Sequence, residues 1–132
     1  MPDRGGIVSD PRSAVAAYFA AANALDVEAL VGAFAPEGTV HDPASPAPVH
    51  RREALRAFYQ GVAGLFSSLE IRADGVIAAG RYVAARFNGR GVGRSGREVS
   101  FSGIDVFEVD ATGRILNLWG YWDPAAVAAA LG

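Results

Sequence analysis

The order of apolar and polar residues predicts two kinds of secondary structure, one in each half of the chain. In the first half, apolar residues recur every three or four positions, which is typical of helices packed on a core. From about residue 67 onward, apolar residues instead follow the pattern of strands, separated by glycine-containing turns. Helices followed by a run of strands are typical of an α+β domain.

Capping and turn residues give approximate bounds for these elements. Asp10 followed by Pro11 is typical of a helix start. Asp26 can cap a second helix. Phe34 would lie on the inward face of this helix, and Pro36 would end it. The predicted elements are helices at about 11–22, 26–36 and 50–61, a short extended segment at 39–42, strands at about 67–79, 81–90, 97–109 and 113–122, and a closing helix within 123–132.

Composition narrows the classes of function. The chain has 132 residues, of which 51% are apolar and 20% charged, so we expect a single globular domain, at 10–132. Residues 1–9 contain charged residues and two glycines, and we expect them to form a flexible tail. A net charge of −2 gives no reason to expect a nucleic acid partner. All twelve basic residues are arginine and there is no cysteine, which excludes lysine Schiff bases, thiol nucleophiles and thiolate metal sites.

The sequence also lacks membrane, metal and nucleotide signals. No run of 18 apolar residues is present and MPDRGGIVSD has no apolar signal core, so we expect a cytoplasmic protein without membrane insertion. GVGRSG at 91–96 matches G-x-G-x-x-G, but strands are predicted on both sides, which favours a hairpin loop over a dinucleotide site. His41 and His50 lack the spacing of a metal site. We therefore expect neither a metal nor a cofactor.

One carboxylate stands out within the predicted strand FSGIDVFEV at 101–109. Alternation places Asp105 on the same face as Phe101 and Phe107. A lone ionised carboxylate on an apolar face costs several kcal/mol, so Asp105 must be paired or protonated. Pairing with an arginine such as Arg86 and a role as a functional acid are both open on this evidence.

Other polar and aromatic residues have ordinary interpretations when each is taken alone. Asp42 precedes Pro43, as an aspartate that initiates a turn often does. Tyr18 lies on an apolar helix face, where a core tyrosine with a hydrogen-bonded hydroxyl is common. Phe58 and Trp122 are typical core residues.

Four short blocks together resemble the steroid Δ5-3-ketoisomerases, which belong to the NTF2-like (SnoaL-like) superfamily. The blocks occur in the family's order and span about residues 10–123. They are YFAAANALD (18–26), TVHDP (39–43), AFYQ (57–60) and GIDVF (103–107), followed by Trp122 at the end of the last strand. The resemblance implies an NTF2-like cone, in which three N-terminal helices pack on a curved, mostly antiparallel sheet that encloses an apolar pocket.

The same resemblance implies roles for four polar residues. Tyr18 matches the family's oxyanion-hole tyrosine, and Asp42 matches the general base. Asp105 matches a second oxyanion donor, an aspartic acid that its apolar site keeps protonated. Tyr59 matches a tyrosine that hydrogen-bonds to the oxyanion tyrosine. Candidate pocket walls for a flat apolar ligand are Phe58, Leu65, Phe101 and Trp122.

The activity implied is isomerisation, without a cofactor, of a β,γ-unsaturated ketone to the conjugated enone. Two alternatives remain open at this point, because related folds carry many functions. The first is a polyketide-tailoring cyclase, dehydratase or epoxide-opening enzyme that uses the same pair of aspartates, and the second is a non-catalytic module that binds a small molecule. The expected ligand is accordingly a steroid or a polyketide.

A homodimer is also expected. The last predicted strand, RILNLWGYW, is apolar on both faces. One face of the sheet would meet the helices, and the other would expose hydrophobic surface unless a second subunit covered it.

Overall fold

A computed structural model describes residues 10–132, so the tail predicted at 1–9 lies outside the described residues. The described chain forms four helices and six strands. In chain order they are α1 (Pro11–Asn23), α2 (Val27–Gly32), β1 (Phe34–His41), β2 (Val49–His50), α3 (Arg52–Ala63), β3 (Phe66–Ala79), β4 (Tyr82–Gly93), β5 (Glu98–Val109), β6 (Ile115–Tyr121) and α4 (Pro124–Leu131).

The strands form one mixed sheet in the order β2-β1-β6-β5-β4-β3. Neighbouring strands are antiparallel except for β1 and β6, which run parallel. The helices α1, α2 and α3 lie on one side of the curved sheet, and the C-terminal helix α4 packs against β5. The α+β architecture expected from the sequence is therefore confirmed.

The second helix is shorter than predicted, and the first strand is longer. α2 ends at Gly32, and β1 already begins at Phe34, although the spacing of apolar residues suggested that the helix reached Pro36. The cause is pairing with a distant part of the chain. Phe34 lies opposite Ile115 of β6, and the backbone N–H of Ile115 donates to the carbonyl of Ala33 at 2.9 Å. Phe34 is fully buried in the strand. An inward position on the predicted helix would also be buried, so burial of this residue does not distinguish helix from strand.

Short-range caps fix where three of the helices begin. The side chain of Asp10 accepts a hydrogen bond from the backbone of Arg12 at the start of α1. Asp26 and Asp123 cap α2 and α4 in the same way. Each such cap typically contributes about 1 kcal/mol. The entry of α1 is set by these local bonds, and its inward face is set by burial of side chains such as Val15 and Phe19.

The face of the sheet that points away from the helices carries exposed hydrophobic side chains. Ile104 of β5 lies opposite Tyr121 of β6, and the two are 44% and 60% exposed. Tyr82 lies on the same face, opposite Glu108, which is buried and bonded to Arg81 at 2.6 Å. This face, called the outer face below, is where a second subunit was expected, and the expectation stays a prediction.

None of the helices found between residues 10 and 132 is long and apolar enough to cross a lipid bilayer.

Candidate active site

A cavity opens between the helices and the inner face of the sheet. It holds about 820 Å³ of empty space, including its open mouth. α1, α3, β3, β5 and α4 each contribute lining residues, so the cavity runs through the centre of the domain. Almost all of its wall is apolar. The polar exceptions are Tyr18, Asp42, Tyr59 and Asp105.

Asp42 and Asp105 approach each other over the backbone of β6. Asp42 directly follows β1, and Asp105 lies in β5 opposite Gly120 of β6. A Cβ atom built on Gly120 would stand 3.2 Å from Oδ2 of Asp42 and 3.3 Å from Oδ1 of Asp105. The two aspartates are far apart in the sequence, and the parallel pairing of β1 with β6 brings them together.

The carboxylate of Asp42 is held by two N–H donors. The backbone N–H of Ala44 donates to Oδ1 at 2.8 Å, within the turn that Pro43 begins. The indole Nε1–H of Trp122 donates to Oδ2 at 3.0 Å. Two donors and no acceptor suit an anionic carboxylate, and they fix its orientation toward the cavity. Asp42 therefore forms the expected turn and also lines the cavity.

Asp105 has a different environment. Burial, and then the nearby charge of Asp42, raise the pKa of Asp105 from 3.8 to about 7. Within residues 10–132, no arginine pairs with this carboxyl group and no hydrogen-bond donor reaches it. Arg86, the candidate partner, instead binds Asp74 at 3.0 Å on the other face of the sheet. The neutral, protonated form of this carboxyl group is therefore far more accessible near neutral pH than that of an ordinary aspartate.

Tyr18 and Tyr59 form a buried pair beside the aspartates. Their hydroxyl oxygens are 2.8 Å apart and share a hydrogen bond. Burial, followed by the charge of Asp105, raises the pKa of Tyr18, and burial together with Tyr18 raises the pKa of Tyr59. Both phenols are thus held in the protonated form that can donate a hydrogen bond. Tyr18 is positioned by edge-to-face contacts with Phe34 and Phe107.

Three of the four expected wall residues line the cavity. Phe58 packs edge-to-face on Tyr59, and Phe101 packs against Trp122. Leu65 does not line the cavity, and its side chain is 50% exposed. It lies in the turn after α3, outside both neighbouring elements, and the next residue, Phe66, begins β3 and points inward instead. The residue that lines the cavity at this place is Phe66, one position after Leu65.

Several lining residues were not singled out from the sequence. Phe87 could have been found, because β4 alternates and Phe87 lies opposite Gly103 in the strand that carries Asp105. Val127 gave no such signal, since it reaches the cavity only because α4 folds back over it. The remaining members of this group are Phe19, Ala22, Leu25, Leu30, Val62, Ala63, Phe66, Leu69, Ile71 and Leu118.

The two histidines lie outside the cavity wall. His41 is half-buried, stacks on Trp119 at 5.3 Å and bonds to Asn117 at 3.1 Å. His50 bonds to Thr39 at 2.7 Å. The part of the chain that the structure describes contains no cluster of three or more His, Cys, Asp or Glu side chains able to hold a metal ion.

Polar and apolar side chains line different parts of the cavity. One end holds a carboxylate with two N–H donors, a carboxyl group with a raised pKa and two neutral phenols. The rest of the wall offers only hydrocarbon and aromatic surface. Such a site is suited to proton transfer at the oxygenated end of an otherwise apolar ligand.

Comparison with known proteins identifies relatives of the chain. Residues 15–118 match the family described as the SnoaL-like domain. The chain is 30% identical to a steroid Δ-isomerase of Nocardioides simplex over 117 residues, covering 88% of this chain and 92% of that protein.

Solved structures share the fold at lower identity. SalBIII, an epoxide hydrolase/cyclase-like enzyme in the formation of a pyran ring of the polyether salinomycin, superposes with a TM-score of 0.77 at 23% identity, over 88% of this chain and 92% of that one. A protein of Catenulispora acidiphila with a ketosteroid isomerase-like fold superposes with a TM-score of 0.79 at 21% identity, over 90% and 92%. From the family match over most of its length, the chain belongs to the SnoaL-like family of NTF2-like domains.

Proposed function

We propose that the protein is an isomerase that moves a β,γ double bond into conjugation with a ketone, on a steroid or a similar flat apolar substrate, through a dienolate. The observation that carries this proposal is the approach of Asp42 and Asp105 over Gly120 in contrasting environments. One carboxylate accepts two N–H bonds, and the other carboxyl group has a pKa of about 7. The steroid Δ-isomerase from Nocardioides simplex, at 30% identity, supports the same reaction class.

In the proposed reaction, Asp42 is the base. Its carboxylate removes a proton from the carbon between the carbonyl and the alkene, and the electron pair of that C–H bond moves toward the ketone oxygen. The resulting dienolate is neutralised when Asp42 returns the proton to the far end of the conjugated system. One residue thus performs both transfers, and the sum of the two steps leaves the enzyme unchanged.

Tyr18 and Asp105 would stabilise the oxygen that becomes negative. Tyr59 can donate its hydroxyl hydrogen to the oxygen of Tyr18, which leaves the hydrogen of Tyr18 free for the substrate. Asp105 donates when it is protonated, and a bound apolar substrate favours that form because it excludes water from the carboxyl group. Removing one such donor typically raises the barrier by about 2.7–4 kcal/mol.

The apolar remainder of the cavity would bind the rest of the substrate. Phe58, Phe101 and Trp122 provide aromatic surface beside the acids. Leu25, Leu69 and Val127 extend the same wall. Since this part offers hydrocarbon contacts, affinity there would come from burial of apolar area, at about 25 cal/mol per Å².

The test is conversion of a Δ5-3-ketosteroid to its conjugated enone, followed by ultraviolet absorbance. We expect turnover by the natural protein. Asp42→Asn should lower kcat by about 10²–10⁴-fold, because the amide group of asparagine is too weak a base to accept the proton. A control variant, Asp74→Asn, changes an aspartate on the other face of the sheet and should keep the rate. Equal rates for Asp42→Asn and the natural protein would contradict the assignment of the base.

A polyketide-tailoring reaction is the second candidate, and the pKa of Asp105 is the observation that favours it. A carboxyl group that titrates near neutrality can serve as a general acid as well as a donor. Asp42 would then be the base that activates a hydroxyl nucleophile, and Asp105 would protonate a leaving oxygen. The similarity in fold to SalBIII supports this class. Turnover of a polyketide epoxide, with no turnover of the ketosteroid, would favour it over the isomerase.

A further inference from the structure

The cavity lies between two hydrophobic clusters of different composition. The larger cluster contains Tyr18 and Tyr59, beside the two carboxyl groups. The smaller one, called the distal cluster below, consists of Phe66, Leu69, Val99 and Val127. Phe101 and Trp122 pack against both clusters. The cavity wall therefore continues from the polar residues, past these two aromatic side chains, to the distal cluster.

Strand β5 shows how far the distal cluster lies from the acids. Val99 and Asp105 are both buried on the inner face of this strand, with Phe101 between them. Val99 precedes Asp105 by six positions, which corresponds to roughly 20 Å along a strand that rises about 3.4 Å per residue. Leu69 lies level with Val99, since both are opposite Gly91 of β4. The distal cluster thus lies at the end of the cavity opposite Asp105.

Helix α4 covers this end with a single side chain. Val127 is 4% exposed, belongs to the distal cluster and lines the cavity. The alanines on either side of it point to solvent, and they are Ala125, Ala126, Ala128, Ala129 and Ala130. Of the residues of α4, only Val127 forms part of the cavity wall.

Both ends of α4 are anchored. The carboxylate of Asp123 accepts a hydrogen bond of 3.1 Å from the backbone of Ala126, at the start of the helix. At the other end, Leu131 packs against the backbone of β4, where a Cβ atom built on Gly93 would stand 2.8 Å from its Cδ2. A helix held at both ends is a fixed wall, so the position of the Val127 side chain sets where the cavity stops.

We infer that Val127 is a specificity-determining residue that limits the length of the ligand. The inference rests on the proposed function, because it takes the acids as the groups that bind the oxygenated end. It adds a substrate class: compact apolar molecules without a long alkyl substituent at the end far from the reacting oxygen.

A length limit has a distinct signature in binding. Each methylene group that becomes buried in an apolar site strengthens binding about fourfold. A methylene that reaches Val127 cannot be buried without displacing α4, and forcing extra volume into a packed site is unfavourable. Affinity should therefore rise with chain length up to a limit and then stop rising. A smaller side chain at position 127 should move this limit to a longer chain, and a larger one to a shorter chain.

The experiment measures binding of para-alkylphenols, from ethylphenol to decylphenol, whose hydroxyl group suits the acid-lined end. Quenching of the fluorescence of Trp122, in the cavity wall, gives Kd for the natural protein, Val127→Ala and Val127→Phe. We expect Kd to fall about fourfold per methylene and then to level off, at a longer chain in Val127→Ala and at a shorter chain in Val127→Phe.

The matched control is Ala128→Phe, which adds the same ring to the exposed side of α4. The chain length at which Kd levels off should be that of the natural protein. Tm is measured for each variant, and if Val127→Phe does not fold, Val127→Ile provides the larger side chain. A limit that is the same in folded variants of both kinds would overturn the inference, and so would a Kd that keeps falling up to decylphenol in the natural protein.

Failure of the inference and failure of the proposed function remain distinguishable, because phenol binding requires no turnover. A limit that moves with position 127, in a protein that does not isomerise the ketosteroid, would support the inference and contradict the isomerase. Turnover of the ketosteroid, with a limit that ignores position 127, would support the isomerase and contradict the inference. Absence of binding of every phenol to the natural protein would also contradict the inference.

Discussion

The indole of Trp122 donates a hydrogen bond of 3.0 Å to the carboxylate of Asp42, across 80 positions of the chain. It joins the end of the last strand to the end of the first strand, at the place where β1 and β6 run parallel. Trp122 is thus both a wall of the cavity and a support for the proposed base. This relationship leads to the first prediction.

Replacing Trp122 with phenylalanine should lower kcat for ketosteroid isomerisation by about 3–30-fold. Phenylalanine keeps an aromatic wall but removes one of the two N–H donors that hold Asp42, and hydrogen bonds to charged groups are worth about 1.5–3 kcal/mol. Steady-state kinetics measure the effect, with Trp119→Phe on the outer face as the control. If Trp122→Phe has the kcat of the natural protein, the bond does not support the base.

The raised pKa of Asp105 predicts how activity depends on pH. The group is protonated below its folded pKa of about 7, so its hydrogen-bond donor is present at low pH and is lost as pH rises through 7. We expect kcat/KM to fall above about pH 7 in the natural protein. Asp105→Asn keeps a donor that does not titrate, so the fall near pH 7 should disappear in this variant. If kcat/KM still falls near pH 7 in Asp105→Asn, another group causes the fall.

The same shift predicts a change in stability. Because the folded pKa of Asp105 lies above its ordinary value of 3.8, the folded protein binds more protons than the unfolded chain between these pH values, and stability falls as pH rises from about 4 to 7. Asp105→Asn removes this penalty. At pH 8 we expect the variant to be more stable by roughly 2–4 kcal/mol, and at pH 4 to be little changed. Urea unfolding at the two pH values measures the difference, and an equal effect at both would contradict the burial of an ionisable group.

The two tyrosines should differ in importance. Tyr18→Phe removes a donor that contacts the substrate oxygen in the proposed reaction, so kcat should fall by about 10²–10³-fold. Tyr59→Phe acts only through its hydrogen bond to Tyr18, and we expect a loss of about tenfold or less. Tyr82→Phe, on the outer face, is the control. A loss of about tenfold or less in Tyr18→Phe would contradict a direct part of Tyr18 in the reaction.

The outer face should hold the protein as a homodimer. Ile104 and Tyr121 together expose apolar surface that a second copy would cover. Light scattering should give twice the mass of the chain, and Ile104→Glu should reduce it to that of a monomer, because a buried unpaired charge is costly. Ala57→Glu changes an exposed side chain of α3, on the opposite side of the sheet, and should leave the mass unchanged. A monomeric natural protein would contradict the predicted dimer.

The fold was largely predictable from local patterns, and the exceptions have a common cause. The long strands β4 and β5 largely follow alternation, and β4 begins after a turn at Gly80, where φ is positive. The boundary between α2 and β1 was misplaced because it depends on pairing with β6, at the other end of the chain. Periodicity contains no information about such a partner.

Part of the candidate site was likewise predictable from a local pattern, and part of it was not. The presence of an acid on an apolar face at Asp105 was visible in one strand, since alternation alone places it beside Phe107. Its approach to Asp42 was available only through resemblance to a family, because the two belong to strands that are joined through β6. The bond from Trp122 to Asp42 and the approach of both carboxyl groups to Gly120 depend on three-dimensional packing, and the sequence contains no signal of either.

The account depends on two carboxyl groups that share one end of a cavity, of which Asp105 is buried without a hydrogen-bond donor from residues 10–132 and has a raised pKa. The most direct test is an NMR titration of protein labelled with ¹³C at the aspartate carboxyl carbons, with Asp105→Asn used to assign the signal. We predict that the signal of Asp105 titrates near pH 7 and that it is absent from the variant. Titration of Asp105 at its ordinary value of 3.8 would contradict the account.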